Sequence, residues 1–551
     1  MEKHTHREEE HFFGAAKVIA GITVLSRILG LVRDILIVSF GANRATDSFW
    51  TAFRVPNVFR RLFGEGALSA AFVPVFTEVA ERQGWDKARS ILANCFGLLA
   101  LLLAGIVVIV ELVLAGFLIF APGPWDRMLL IQLTMLVVPF MITICLLALG
   151  SAAMNCKGHF AYPAFAPIML NIFLIAGAWA AHHFFGGGQW QGLFLLAISS
   201  LLAGVAQVVG VFWLLARAKL AAMPVLAPIG PEVRRIAALA LPMMLPLGLT
   251  QLTSLFESFY AWLMSATDGA PSFTVFSVTI AKPLQAGIVT CVYAAERLYN
   301  FPLGILAVSV ATAVFPLFSR YAARGDMAGL RDVTGRALRL SLFLGIPSGV
   351  ALIVLAKPAI MLIYRHGQFS DSDAGRAALI LKMYCLGMWA YFARGILLRA
   401  FFCRKDVKTP LKISCWLTAV NILLVAALVF TPLRGAGIGL ATAITASANA
   451  LLLTWALRRR WGALGLAEIA RSVVRTLLAS GLMAGAMLAA MHYVAAAAAA
   501  SAFASGLLVA AGTAAGIAVF FGSAMFMRSP ELRELMGALK PTAPDGDGPQ
   551  E

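Results

Sequence analysis

The chain has 551 residues, 60% of them hydrophobic and only 13% charged, with a mean hydropathy of +0.84. A soluble domain is roughly 45–50% apolar and about 25% charged, so this composition excludes a soluble enzyme, a disordered chain and a nucleic-acid-binding domain. The net charge of +17 would otherwise raise nucleic acid as a partner; in a membrane chain it indicates basic cytoplasmic loops, and no nucleic-acid partner is expected.

The first segment, 1–13, reads MEKHTHREEEHFF and is a charged cytoplasmic tail without a cleavable signal pattern. Its histidines His4, His6 and His11 read as part of a solvated tail rather than a metal site. A spanning helix needs about 20 mostly apolar residues. Fourteen segments qualify: roughly 14–40, 45–80, 91–121, 128–154, 161–184, 191–217, 232–265, 286–322, 333–363, 374–403, 410–431, 435–458, 470–494 and 500–527. The runs are long and lack two-residue alternation, so strands are not indicated. The expectation is an all-α integral membrane protein. It has an N-lobe at 14–220, a C-lobe at 228–460, two further helices within 461–527 and a disordered cytoplasmic tail at 528–551.

Loop charges orient this chain. With the N-terminus inside, the cytoplasmic connections hold Arg82, Lys87, Arg89, Lys157, Arg217, Lys219, Arg234, Arg235, Arg320, Arg324, Arg331, Arg404, Lys405, Lys408, Lys412 and Arg458 to Arg460. The opposite loops hold only Arg44, Arg127, Lys357, Arg365 and Arg434. The asymmetry places both termini in the cytoplasm.

An internal repeat is visible. VPVFTEVAER at 73–82 resembles FPLFSRYAAR at 315–324, an offset of 242. Cys156-Lys157 with Pro163 recurs as Cys403-Arg404 with Pro410, an offset of 247. Each pair falls at the same point of a six-helix block, so the two lobes are expected to be pseudo-symmetric and to share one orientation. The segment 266–285 has no counterpart in the first lobe and reads as an extra outer connection rather than a fifteenth span.

Ionisable residues at membrane depth are costly and usually face a cavity or a partner. The first span carries Arg27, Arg33 and Asp34; the second carries Asp47, Arg54, Arg60, Arg61 and Glu65, with Pro56, Gly64 and Gly66 interrupting it. A broken helix is tolerated at membrane depth where it lines a water-filled cavity. Arg27 and Asp34 share a helix face, as do Arg54 and Arg61. The second lobe adds Glu257, Lys282, Glu296, Arg297, Lys382, Arg394 and Arg399, of which those near an interface can snorkel. Arg27, Arg33 and Arg60 have too few carboxylates around them. Guanidinium forks match phosphate geometry, so the substrate is expected to be anionic, phosphorylated and bound between two lobes.

Other features take plainer readings. The seven cysteines, Cys95, Cys145, Cys156, Cys291, Cys385, Cys403 and Cys415, stand singly and read as small apolar residues. Glu111 reads as a polar contact between helices, the alanine run 495–500 as tight packing or an outer loop, and 458–475 as a basic amphipathic stretch on the inner membrane surface. No Walker loop, GxSxG, HExxH or dinucleotide fingerprint stands in a suitable context.

Four stretches carry a resemblance: SRILGLVRD, GANRATDSFWTAFRVPNVFRRLFGEGALSAAFVPVF, ERLYNFPLGILAVSVATAVFP and FCRKDVKTPLK. Together they resemble the lipid II flippase family MurJ (MviN) of the MOP exporter superfamily, over nearly the whole chain. The resemblance implies a transporter, not an enzyme, of the bacterial cytoplasmic (inner) membrane. Its cargo would be undecaprenyl-diphosphate-linked disaccharide-pentapeptide, moved from the inner to the outer leaflet for peptidoglycan synthesis. The family's required cavity arginines fall on Arg27, Arg33 and Arg60; Ser26, Asp34, Asp47, Asn57 and Glu65 match family positions. Arg297 matches the family's acidic-Arg-Leu element, and the last two helices would shape a lipid-tail groove. The connection 266–285 is longer than the family pattern, so Lys282 is a cavity candidate on its chemistry alone.

The expected mechanism is alternating access, because a charged head of this size would lose its hydration in hydrocarbon. No cofactor or metal is expected. The sequence leaves open whether Na+, H+ or the membrane potential alone drives the cycle, each charge moved being worth about 2.3 kcal/mol per 100 mV. Lipid II, membrane lipids and other cell-wall synthesis proteins are the expected partners. Other readings are an oligosaccharide-lipid flippase, a multidrug antiporter with an acid-lined cavity, a non-transporting scaffold of cell-wall assembly, and a polyprenyl-diphosphate enzyme, which would need a DDxxD-type cluster that this chain lacks.

Overall fold

A computed structural model describes residues 21–64, 67–186, 190–267, 271–275, 278–498 and 504–539. The N-terminal tail, with its three histidines, and Glu65 lie outside them.

The chain is almost wholly helical, because in lipid a backbone can satisfy its own N–H and C=O groups along a helix. In order these are α1 (21–38), α2 (Arg44–Phe59), α3 (Ala67–Gln83), α4 (Trp85–Phe120), α5 (Trp125–Val137), α6 (Phe140–Cys156), α7 (Ala161–Phe185), α8 (Gly192–Arg217) and α9 (Pro231–Leu263). After a short hairpin come α10 (Ile288–Pro302), α11 (Val308–Arg324), α12 (Met327–Tyr364), α13 (Asp371–Cys385), α14 (Met388–Cys403), α15 (Lys408–Leu428), α16 (Ala436–Trp461), α17 (Leu466–Ala498), α18 (Ala504–Phe526) and α19 (Pro530–Leu539).

Eleven stretches among the described residues are long and apolar enough to cross a membrane, and the α13–α14 pair, bent by 43°, makes a twelfth. Helices α1 and α9 occupy the other two positions of the fourteen expected. Large apolar side chains such as Leu112, Ile119 and Phe120 of α4 are exposed, as lipid-facing residues should be.

The chain packs as two compact units: Met1–Thr290 with Tyr364–Asp373, and Cys291–Ile363 with Ala374–Glu551. The packing boundary therefore differs from the repeat boundary, since α9 packs with α2 and α3 in the first unit.

The repeat has a structural counterpart within each unit. A π-helical turn, Arg60–Gly64, precedes α3, and another, Leu303–Ala307, precedes α11. Each is followed by a helix of 17 residues with a proline inside it, Pro74 or Pro316. Pro56 stays inside α2, so the break predicted around it falls instead on the π turn that follows.

Three expectations need correction. Strands do occur: Ser272–Val275 (β1) and Val278–Ala281 (β2) pair antiparallel within the extra connection. These four-residue strands are too short to register as spans. The tail from 528 is not wholly disordered, because Pro530–Leu539 forms α19. Leu532 of α19 is buried against a core that includes Phe343, Met483 and Phe520, while Glu531 lies 3.7 Å from Arg339. Finally, 458–475 is not a separate stretch on the membrane surface, since its two ends belong to helices long and apolar enough to span. Helix α16 runs to Trp461 and α17 starts at Leu466, with Gly462 and Gly465 turning the link at positive φ.

Candidate anion-binding site

The first group of polar residues centres on α1. One face of this helix exposes Val24, Leu25, Ile28, Leu31 and Val32. Arg27 is exposed beside them and forms no hydrogen bond or ion pair among the described residues. Arg33 is 8% exposed and firmly held. Its Nε and Nη2 donate to Asp34 Oδ1 at 3.0 and 2.7 Å, and its Nη1 donates to Asn171 Oδ1 of α7 at 2.9 Å. Asn171 Nδ2 in turn donates to the Ser26 carbonyl at 3.0 Å.

The second group lies where α2 passes into its π turn. Arg60 Nε donates to Asn57 Oδ1 at 3.2 Å, and Asn57 Nδ2 donates to the Phe53 carbonyl at 2.9 Å. Arg61 Nη1 donates to Gln251 Oε1 of α9 at 3.3 Å, and Arg54 Nη1 reaches the Ser254 carbonyl at 3.5 Å. A π turn is a rare element that recurs at functional sites; here it begins on the adjacent pair Arg60 and Arg61.

One chemical pattern joins the two groups. Arg33, Arg60 and Arg61 each donate to a neutral amide: Asn171, Asn57 or Gln251. An amide oxygen orients a guanidinium without itself adding charge; Arg33 is in addition ion-paired with Asp34.

Asp47 sits apart from these arginines, at the other end of α2. It is fully buried and caps the start of α10. Its Oδ2 accepts from Gly287 N at 2.8 Å; its Oδ1 accepts from Thr290 N and Thr290 Oγ1, both at 2.9 Å. A carboxylate is favoured at a helix N-terminus, where free N–H groups point outward. Gly287 has φ +88°, and a Cβ there would lie 2.0 Å from the Ala42 carbonyl oxygen. Gly287→Ala is therefore expected to destabilise the fold by about 1–3 kcal/mol from backbone conformation alone, read as a lowered Tm of the detergent-solubilised protein.

Arg44, three residues before Asp47, anchors a further buried cluster. Its Nε donates to Asp126 Oδ2 at 2.7 Å, and its Nη1 donates to the Trp262 carbonyl and the Ser265 hydroxyl. The guanidinium carbon lies 3.9 Å from the centre of the Trp262 ring, whose Nε1 donates to Ser48 Oγ at 3.0 Å. Thus residues of the first turns of α2 bind both ends of the connection between α9 and α10. Lys282 lies in that connection, within the electrostatic reach of Arg44 and Asp126, rather than with the arginines of α1 and the π turn. Burial and then the Arg44 charge hold its ammonium below the ordinary lysine range, against the pull of Asp126.

Arg297 belongs to the second unit. Its Nε and Nη2 donate to the Tyr293 hydroxyl at 3.0 and 2.6 Å. Glu111 forms no hydrogen bond or ion pair among the described residues, so the inter-helix contact expected of it is not made there. Sequence reasoning missed Asn171, Gln251, Thr290 and Asp126. Their only local signal is a polar residue in an apolar stretch, as with Asn171 in IMLNIFL.

The family model described as lipid II flippase MurJ matches residues 37–508. A probable lipid II flippase MurJ of Vibrio cholerae is 31% identical over 453 residues, covering 79% of this chain and 81% of that protein. Among solved structures, a lipid II flippase MurJ in an inward closed conformation aligns with a TM-score of 0.71 at 21% identity, over 94% of this chain and 99% of that one. An inward-facing multidrug resistance MATE transporter of the MOP superfamily aligns with a TM-score of 0.64 at 14% identity, over 82% of this chain and 98% of that one.

Proposed function

This chain belongs to the lipid II flippase MurJ family, and we propose that it carries undecaprenyl-diphosphate-linked disaccharide-pentapeptide from the inner to the outer leaflet of the bacterial cytoplasmic membrane. The observation that carries the reading is the set of arginines oriented by amides, with Arg27 exposed on the helix that also carries Arg33. A diphosphate accepts bidentate hydrogen bonds from guanidiniums, and each such charge-assisted bond strengthens where water is scarce. A drug-cation antiporter would need the opposite charge.

In this reading both termini are cytoplasmic and the Arg44 end of α2 faces outward. The excess of Arg and Lys on the connections of one side, from Arg82 and Lys87 to Arg458, supports that orientation. The head group enters the cationic site from the inside while the polyprenyl tail stays in lipid along α17 and α18. Rocking of the lobes then opens the site to the outside. Ser26, Asn57, Arg54 and Arg61 serve as the polar and cationic surround of the head group. The chain performs transport, and the chemistry on lipid II is left to other cell-wall synthesis proteins.

The test is replacement. A bacterium depleted of its own flippase is given this chain, and outer-leaflet lipid II is measured by accessibility to an externally added probe or hydrolase. Restored outer-leaflet lipid II is expected. Well-expressed, membrane-inserted chain that leaves lipid II in the inner leaflet overturns the proposal.

A further inference from the structure

Asn171 is a buried amide on α7 in an otherwise apolar run, IMLNIFL. Both of its side-chain hydrogen bonds go to α1. Nδ2 donates to the Ser26 carbonyl at 3.0 Å and Oδ1 accepts from Arg33 Nη1 at 2.9 Å. Between those two points lies Gly30, and the nearest atoms to a Cβ built there would be Asn171 Nδ2 at 3.6 Å and Oδ1 at 3.9 Å. The amide therefore lies across the Gly30 turn and grips α1 on either side of it.

We propose that Asn171 is a positioning residue of the flippase: it acts through Arg33, fixing that guanidinium for the lipid-linked diphosphate. The proposal rests on the transport reading above. Arginine is a long side chain, and confining it on binding costs entropy; a side chain already confined loses less. Asp34 Oδ1 holds one edge of the guanidinium, through Nε and Nη2. Asn171 fixes the third nitrogen, Nη1. The amide is chemically apt for this. A carboxylate at 171 would add a second negative charge beside Arg33 and set a lone pair against the Ser26 carbonyl. A hydrocarbon would release both contacts.

The second unit offers an internal contrast. Asn421 stands in a similar stretch, NILLV against NIFLI. It donates instead to Thr445 Oγ1 of α16 at 3.1 Å, and its Oδ1 has no hydrogen-bond partner among the described residues. The same kind of buried amide there joins two helices and holds no cation.

The test is a double-substitution cycle in proteoliposomes. Lipid II is the probe, and both apparent KM and maximal flipping rate are read. Asn171→Leu is expected to raise KM by about three- to tenfold, the range that immobilising one side chain spans, with the maximal rate within about twofold. Asn421→Leu is expected to leave KM unchanged. On an Arg33→Met background, Asn171→Leu is expected to have no further effect on KM. An equal KM penalty on both backgrounds overturns the proposal, because it shows that Asn171 does not act through Arg33. If Asn171→Leu does not accumulate, Asn171→Ala, which likewise removes both contacts to α1, carries the same cycle, with the same outcomes deciding. Failure of the unmodified chain to bind lipid II overturns the transport reading, and this proposal with it. Binding by the unmodified chain with additive penalties overturns this proposal alone.

Discussion

Arg44→Met is expected to destabilise the protein by about 3–5 kcal/mol, the usual effect of removing one partner of a buried ion pair. The substitution would strand Asp126, which is 4% exposed and already has one oxygen, Oδ1, without a hydrogen-bond partner among the described residues. It would also take one donor from the Trp262 carbonyl, which keeps that of Ser265 Oγ, remove the donor to the Ser265 hydroxyl and remove the cation from the Trp262 face. Restoring apolar complementarity should reverse much of the loss, since replacing a whole buried pair with hydrocarbon is often neutral or better. Arg44→Met with Asp126→Leu is therefore expected to melt well above Arg44→Met alone. Thermal unfolding in detergent or nanodiscs distinguishes these cases; equal Tm values for the single and double variants would show that the stranded charge is not the cause.

Arg27→Ala is expected to do the reverse, leaving Tm unchanged while lowering flipping by about ten- to a hundredfold. Arg27 is exposed and has no partner among the described residues, so its removal strands nothing. What is lost is a charge-assisted hydrogen bond to phosphate, worth about 1.5–3 kcal/mol, at roughly 1.4 kcal/mol per factor of ten. Arg27→Lys keeps the charge but not the fork and should fall between. Arg33→Ala is the informative contrast, because it removes a buried partner from both Asp34 and Asn171 and should lower both Tm and flipping. Outer-leaflet lipid II at matched expression is the readout. Wild-type flipping by Arg27→Ala would remove that residue from the site.

The spans and the repeat were legible because both depend on local pattern. Apolar length marks a membrane helix wherever it packs. The match of 73–82 with 315–324 reappears as α3 and α11, each behind a π turn. The arginines were legible as misplaced charge. Their restraints were not, because each comes from a helix distant in sequence: Asn171 is 138 residues from Arg33, and Gln251 is 190 from Arg61. Asp47 shows the limit from the other side. The resemblance set it among the binding residues; the structure puts its carboxylate on the N–H groups of Gly287 and Thr290, a role no spacing within α2 announces. The hairpin was hidden for a different reason: its β-branched strands, SFTV and VTIA, are too short to register beside twenty-residue apolar runs.

The Arg44 cluster also has a schedule. Asp126 follows Arg44 by 82 residues, the Trp262 carbonyl by 218 and Ser265 by 221. At about 5–20 residues per second of synthesis, the carbonyl that Arg44 needs emerges roughly 10–40 s after the arginine itself. Through that interval α2 carries a cation at its end that only Asp126 can meet, once residue 126 has itself been made. The last contact that buries this charge forms after α9 has been threaded. Closure of this cluster thus waits until nearly half of the chain has been made, and a ribosome stalled before residue 262 would leave behind a nascent protein whose Arg44 lacks the Trp262 carbonyl and Ser265.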